Sequence, residues 1–159
     1  MGTEANLRAV GTAEPSREVG GEAATDLFAD SGFHAVGMDD IGEAAGISGP
    51  GVYRHFPSKQ ALLETLLDRT MDRMLATVGG IDDLATPIDA HVDLVVSDQA
   101  LISVWVREQR TLGESTRQSL RTRMRTYEAT WRTAVRAYRP ELGEAELALT
   151  VGAALALLN

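Results

Sequence analysis

The chain has 159 residues, 44% hydrophobic and 24% charged, with no cysteine and a formal net charge of −8. That size holds one ordinary domain, or a small module sharing a helix with a modest second core, and the composition is that of a globular protein rather than a disordered one. Without cysteine there are no disulfides, thiolate metal sites or thiol nucleophiles. The acidity argues against nucleic-acid binding, which draws on Lys and Arg, but the charge is uneven. Residues 1–43 carry nine acids against two arginines, whereas residues 44–60 carry no acid and contain Arg54, His55 and Lys59.

The opening sixteen residues lack both a basic n-region and an apolar h-region. They predict a flexible arm over residues 1–13 rather than a signal peptide, and so a cytoplasmic protein. A first helix is predicted from about Ser16 to Ser31, with Ala23, Ala24, Leu27 and Phe28 as its apolar stripe and Gly32 as its end. Gly20 and Gly21 fall where the stripe would continue. Each costs roughly 1 kcal/mol against Ala and is expected to leave core volume unfilled.

From Gly37, Met38, Ile41, Ala44 and Ala45 recur at helical spacing until Gly46. Ser48 then stands as an N-cap and Pro50 falls in the first turn of a second short helix. Two short helices joined by a short glycine-containing turn form a helix-turn-helix over 37–56, whose second helix is the one that enters a major groove. The alternative reading is a purely structural helical hairpin.

Ser58 caps a long helix carrying Leu62, Leu63, Leu66, Leu67, Met71, Met74, Leu75 and Val78, expected to stop at Gly79–Gly80. Thr86 and Pro87 open the next helix, with Ile88, His91, Val92, Val95 and Val96 on one face and a break at Ser97–Asp98. Ala100 to Leu112 reads as helix despite its ISVWV run. A long helix follows, capped by Ser115 or Thr116, with Leu120, Met124, Tyr127, Trp131, Val135 and Tyr138 inward and its arginines on a solvated face.

From Glu144 the last helix places Ala148, Gly152 and Ala156 four apart, flanked by Leu147, Val151, Leu155 and Leu158. A helix apolar around most of its circumference must be buried, and a second copy of the chain is the expected cover, through Ala148, Val151, Gly152, Leu155 and Ala156. The nearly apolar run Leu147–Leu158 is shorter than the ~20 residues that span a bilayer, so no membrane helix is predicted. His34, His55 and His91 are scattered and no base is paired with a nucleophile, so neither an enzyme, a metal site nor a cofactor is expected.

Phe28 to Gly32, Met38-Asp39-Asp40-Ile41, Ala44-Ala45-Gly46-Ile47-Ser48, Val52-Tyr53-Arg54-His55-Phe56 and Ser58-Lys59 with Ala61-Leu62-Leu63 together resemble the N-terminal domain of TetR-family repressors. The resemblance covers residues 14–74. It implies an all-α fold, with a three-helix DNA-binding domain followed by a helical ligand-binding and dimerisation domain over 75–159. It also implies a homodimer on a double-stranded DNA operator, and a small apolar or amphipathic effector, with an acyl-CoA among the candidates.

Carried over by position, the resemblance makes Tyr53 and His55 phosphate contacts and Lys59 a phosphate anchor. It makes Gly49, Pro50 and Gly51, just past the Ser48 cap, the tip facing the bases. Gly37 stands where many members carry a capping hydroxyl, and Gly51 offers no side chain, so base readout is expected to rest on Arg54 and on Met38 against a thymine methyl. Met71, His91, Trp105, Tyr127 and Trp131 are the effector-pocket candidates, His91 first because an imidazole among aliphatic side chains needs a hydrogen-bond partner. Family members usually continue through a further helix, so the dimerisation domain is expected to be incomplete at Asn159. The rival reading is a dimeric small-molecule-binding protein whose operator binding is impaired by Gly20 and Gly21.

Overall fold

The computed structural model describes the backbone of residues 3–78 and 84–158 and the side chains of residues 17–78 and 84–156. Among the described residues there are eight α-helices and no strand. They are α1 (Thr3–Ser31), α2 (Met38–Ala44), α3 (Gly49–His55), α4 (Lys59–Thr77), α5 (Ala85–Ser97), α6 (Gln99–Glu108), α7 (Glu114–Tyr138) and α8 (Glu144–Leu158). The expected stop at Gly79–Gly80 and the side chain of Leu158 lie outside the described residues. None of the described helices is long and apolar enough to cross a membrane.

The chain divides into two compact units, residues 1–66 with 103–111, and residues 67–102 with 112–159. The predicted boundary at residue 74 is therefore corrected to Leu66, and the second half of α6 joins the N-terminal unit instead of the C-terminal one. The reason is polar. Arg107 Nη2 donates to Phe28 O at 3.1 Å and Ala29 O at 2.7 Å, satisfying carbonyls that the end of α1 leaves open, and Glu108 accepts from Phe33 N at 3.4 Å.

In the N-terminal unit α1 starts at Thr3, so the expected arm over 1–13 is helical from that point on, and the helix runs on through Pro15. Gly32 ends it at φ +82°, and Gly46, at φ +65°, makes the left-handed turn between α2 and α3 that a side chain would strain. Ala24, Phe28, Phe33, Ile41, Val52, Phe56, Leu62 and Leu63 form the core. Burial of each large member contributes roughly 1.5–3 kcal/mol.

The two glycines of α1 do not leave the expected void. A methyl on Gly21 would lie 3.2 Å from Leu66 Cδ2, so Leu66 already occupies that volume, while one on Gly20 would meet Ile47 Cδ1 at an ordinary 3.8 Å. The same close approach holds α2 on α3. A methyl on Gly42 would stand 3.0 Å from Ile47 O and 3.2 Å from Gly49 N.

The C-terminal unit is built from most of α4, from α5, the start of α6, α7 and α8. Met71, Met74, Leu94, Leu101, Leu120, Tyr127, Trp131, Leu147 and Val151 are buried. α5 opens at Ala85 rather than at a Thr86 cap, and its buried stripe is Pro87, His91 and Leu94. Ile88, Val92 and Val96, predicted inward, are exposed. α7 is capped by Gly113, ahead of the expected Ser115 or Thr116. Its Arg123 is an ion-pair partner of Asp68 and Asp72 on α4, and Arg73 holds Asp98 at 2.6 Å.

Candidate functional site

The helix-turn-helix is fixed at both of its helix starts. Gly37 caps α2 with its backbone alone, and the Asp40 carboxylate returns to accept Gly37 N at 2.6 Å, supplying the partner that a Ser or Thr cap would have provided. Ser48 Oγ accepts Gly51 N at 3.2 Å and Pro50 sits in the first turn, as the sequence predicts for α3. Ser58 Oγ accepts Ala61 N at 3.1 Å at the start of α4.

This frame turns Tyr53 outward, 53% exposed, with Arg54 and Pro50 beside it on the free face of α3 and His55 half-buried at its end. A phenol, a guanidinium and an imidazole there can donate to phosphate oxygens or to base edges. Ser48 is exposed and Gly49 half-buried at the start of the helix.

Three expected DNA contacts are placed otherwise. Met38 is buried, 7% exposed, because it is the first core position of α2, so it is withdrawn as a thymine-methyl contact. Gly51 is buried as well, and a methyl placed on it would meet Ser48 Oγ at 3.2 Å and Ile47 Cβ at 3.8 Å, so it is not an outward tip. Lys59 Nζ donates to Phe33 O at 2.6 Å and Val36 O at 2.5 Å and lies 4.5 Å from the centre of the Phe33 ring. The ammonium holds the turn between α1 and α2 against the start of α4, and a group so engaged is not a free phosphate anchor.

In the C-terminal unit a solvent-open cleft of about 550 Å³ is lined by Leu84, Ile88, His91, Trp131 and Val135, and on α8 by Thr150, Val151, Ala154 and Leu155. Of the five predicted pocket residues, His91 and Trp131 line it. Tyr127 stands behind His91, its hydroxyl 2.6 Å from Nδ1. Met71 is wholly buried in the core and Trp105 belongs to the other unit, so both are withdrawn as lining residues.

His91 is fully buried and its Nε2 has no hydrogen-bond partner. Burial lowers its pKa below the usual imidazole value and keeps the ring neutral. Burial raises the pKa of Tyr127, with Trp131 and Thr77 pulling the other way. Of the α8 lining, the sequence singles out Val151 and Leu155 but not Thr150 or Ala154.

α8 faces two ways. Val151 and Leu155, expected at a subunit interface, are turned to the cleft, and Val151 is buried within its own unit. Ala148, Gly152 and Ala156 are exposed, next to Leu149 at 73% exposure, and nothing lies within 4 Å of a methyl placed on Gly152. Among the described residues no group of three or more His, Asp or Glu side chains is placed to hold a metal ion.

A short α2, a glycine turn and an α3 that presents Tyr53 and Arg54, on a helical body, define a helix-turn-helix protein with a helical C-terminal unit. Residues 22–66 match the family model described as bacterial regulatory proteins, tetR family. The chain is 45% identical over 56 residues to the HTH-type transcriptional activator FasR of Mycolicibacterium smegmatis, a match covering 35% of this chain and 26% of that protein. The chain thus aligns with only about a quarter of that relative.

Solved structures share the fold over far more of the chain. The TetR-family transcriptional regulator PfmR of Thermus thermophilus is 23% identical at a TM-score of 0.77, covering 89% of this chain and 82% of that one. AibR in complex with isovaleryl coenzyme A and operator DNA is 20% identical at a TM-score of 0.73, covering 90% and 83%.

Proposed function

We propose that the chain is a transcriptional regulator that binds a palindromic double-stranded DNA operator as a homodimer and is released from it by a small apolar or amphipathic effector. The observation that carries this reading is the free face of α3, where Tyr53 and Arg54 stand exposed on a helix locked by Ser48 and the Gly46 turn. Two such helices about one DNA turn apart, roughly 34–36 Å, would read two half-sites. The exposed Ala148, Gly152 and Ala156 stripe is the surface through which two copies would pack.

The effector would enter the cleft between α5, α7 and α8. α4 and α6 each run from one unit into the other and are the elements through which the two sites would be coupled. Effector and operator would then oppose each other by the same free energy. AibR, which shares the fold, is described with an acyl-CoA, and that class is a first probe. Repression is the direction proposed, while the name of FasR, an activator, favours the reverse as the second reading.

The test is selection of DNA from a randomised pool by the full chain, followed by gel shift with acyl-CoAs and cell extract. Enrichment of a palindrome that one of them releases supports the reading. No enriched sequence overturns DNA recognition, and an operator that nothing releases overturns effector control. A reporter driven from the enriched site separates repression from activation.

A further inference from the structure

We propose that Asp39, on α2, reads a cytosine in each half-site of the operator by accepting a hydrogen bond from its exocyclic N4 amine in the major groove. This rests on the reading of α3 as the helix that meets DNA, and adds a base that the protein selects there.

A recognition helix touches base edges with its first residues. In α3 those are Gly49, Pro50 and Gly51, and none of the three has a side chain that can form a hydrogen bond. The Ser48 hydroxyl before them accepts Gly51 N at 3.2 Å. The Asp39 carboxylate fills this gap from the neighbouring helix. A β-carbon added to Gly49 would collide with Asp39 Oδ1 and lie 3.6 Å from its Cγ, so the carboxylate occupies the place that a side chain at position 49 would take. Positions 49 and 53 are four apart and project from one face of a helix. The carboxylate therefore stands one turn ahead of the exposed Tyr53 on the free face of α3, and both Asp39 and Pro50 are exposed.

The two acids in the first turn of α2 have separate duties. Asp40 accepts Gly37 N at 2.6 Å and closes the α2 cap. The Asp39 carboxylate has no hydrogen-bond or ion-pair partner among the described residues. It is also the acid that α2 brings to a stretch, residues 44–60, that has none of its own.

The chemistry of the carboxylate then selects the base. An ionised carboxylate accepts hydrogen bonds and donates none. Phosphate oxygens repel it, as do guanine O6 and N7 and thymine O4, which leaves cytosine N4 and adenine N6 as donors. Adenine sets the acceptor N7 beside its amine, facing the second carboxylate oxygen, whereas cytosine has only a C5–H there. Cytosine is the base without a repulsive neighbour.

The experiment is selection of DNA from a randomised pool by the full chain, by Asp39→Ala and by Asp39→Asn. Wild type is expected to enrich a palindrome with a C·G pair at one position of each half-site, preferred there by about tenfold, the weight of one hydrogen bond to a charged acceptor. Asp39→Ala should lose the preference at that position and keep the others. Asp39→Asn, which preserves the size of the side chain, should favour adenine there, because an amide matches N6 and N7 together. A carboxylate with a merely structural role would change affinity for every sequence alike and leave each preference as it was.

A palindrome enriched with unchanged preferences by Asp39→Ala or by Asp39→Asn overturns the proposal and leaves DNA recognition by α3 standing. Relaxation at a position where wild type selects anything other than a C·G pair does the same. A pool from which wild type enriches no sequence overturns both.

Discussion

The two units of this chain differ in what their polar side chains do for the backbone. In the N-terminal unit the long polar side chains close the frame: Lys59 on the carbonyls of Phe33 and Val36, Arg107 on the end of α1, Asp40 on the cap of α2. In the C-terminal unit a wholly buried imidazole keeps one nitrogen without a partner at the edge of an apolar cleft. Such clamps steady the helices of the N-terminal unit, whereas the lining of the cleft leaves both His91 Nε2 and Trp131 Nε1 unpaired.

The largest break in that comparison should come from Lys59→Met, which keeps the stem and removes the ammonium. Two backbone carbonyls then lose a charged donor, and the unfolding free energy is expected to fall by about 2–3 kcal/mol in a urea titration. A change under about 0.5 kcal/mol, the size usual for an exposed surface residue, would return Lys59 to the phosphate-anchor role.

The adjacent glycines of α1 sharpen the picture of the same unit. Gly21→Val forces methyls onto Leu66 and is expected to cost about 1–3 kcal/mol as overpacking. Gly20→Ala meets only an ordinary contact with Ile47 and is expected to gain about 0.5–1 kcal/mol by removing helix-interior glycine. Thermal unfolding of both variants checks the pair, and equal shifts would mean that Leu66 does not fill the space beside Gly21.

The smallest expected effect lies in the C-terminal unit. His91 has a folded pKa below its unfolded value, so the unfolded chain takes up the extra proton. The stability His91 contributes as a neutral ring is present above about pH 6.5 and is lost as pH falls through its folded pKa. Wild type should therefore lose stability relative to His91→Phe between about pH 7.5 and 5.5. A pH-independent difference between the two would contradict a neutral buried imidazole.

Most of the helices were legible because helical spacing and caps speak locally. Ser48, Pro50 and Gly46 state where α3 begins and why, and the break at Ser97–Asp98 fell where expected. Orientation was less legible. Met38 and Gly51 look like tip residues in a linear motif, but the pitch of a seven-residue helix sends them inward. Lys59 is a free cation in sequence and a carbonyl clamp in space, because its partners are some two dozen residues away in the chain. His91 was legible as an imidazole in need of a partner, but Tyr127 as that partner was not. On α8 the same apolar residues could serve a cleft or a second subunit, and only packing assigns Val151 and Leu155 to the cleft.

The central claim, that the free face of α3 is what meets DNA, is tested most directly by the salt dependence of fluorescence-anisotropy binding to the enriched operator. Wild type, Arg54→Ala and Tyr53→Phe would be compared at concentrations where each is folded. Arg54→Ala should weaken binding and lower the slope of log K against log salt by about one unit if Arg54 meets a phosphate, or relax sequence preference at one position if it meets a base, with Tyr53→Phe weakening binding less. Slopes, affinities and preferences matching wild type in both variants would contradict the account, since α3 would then present nothing that DNA feels.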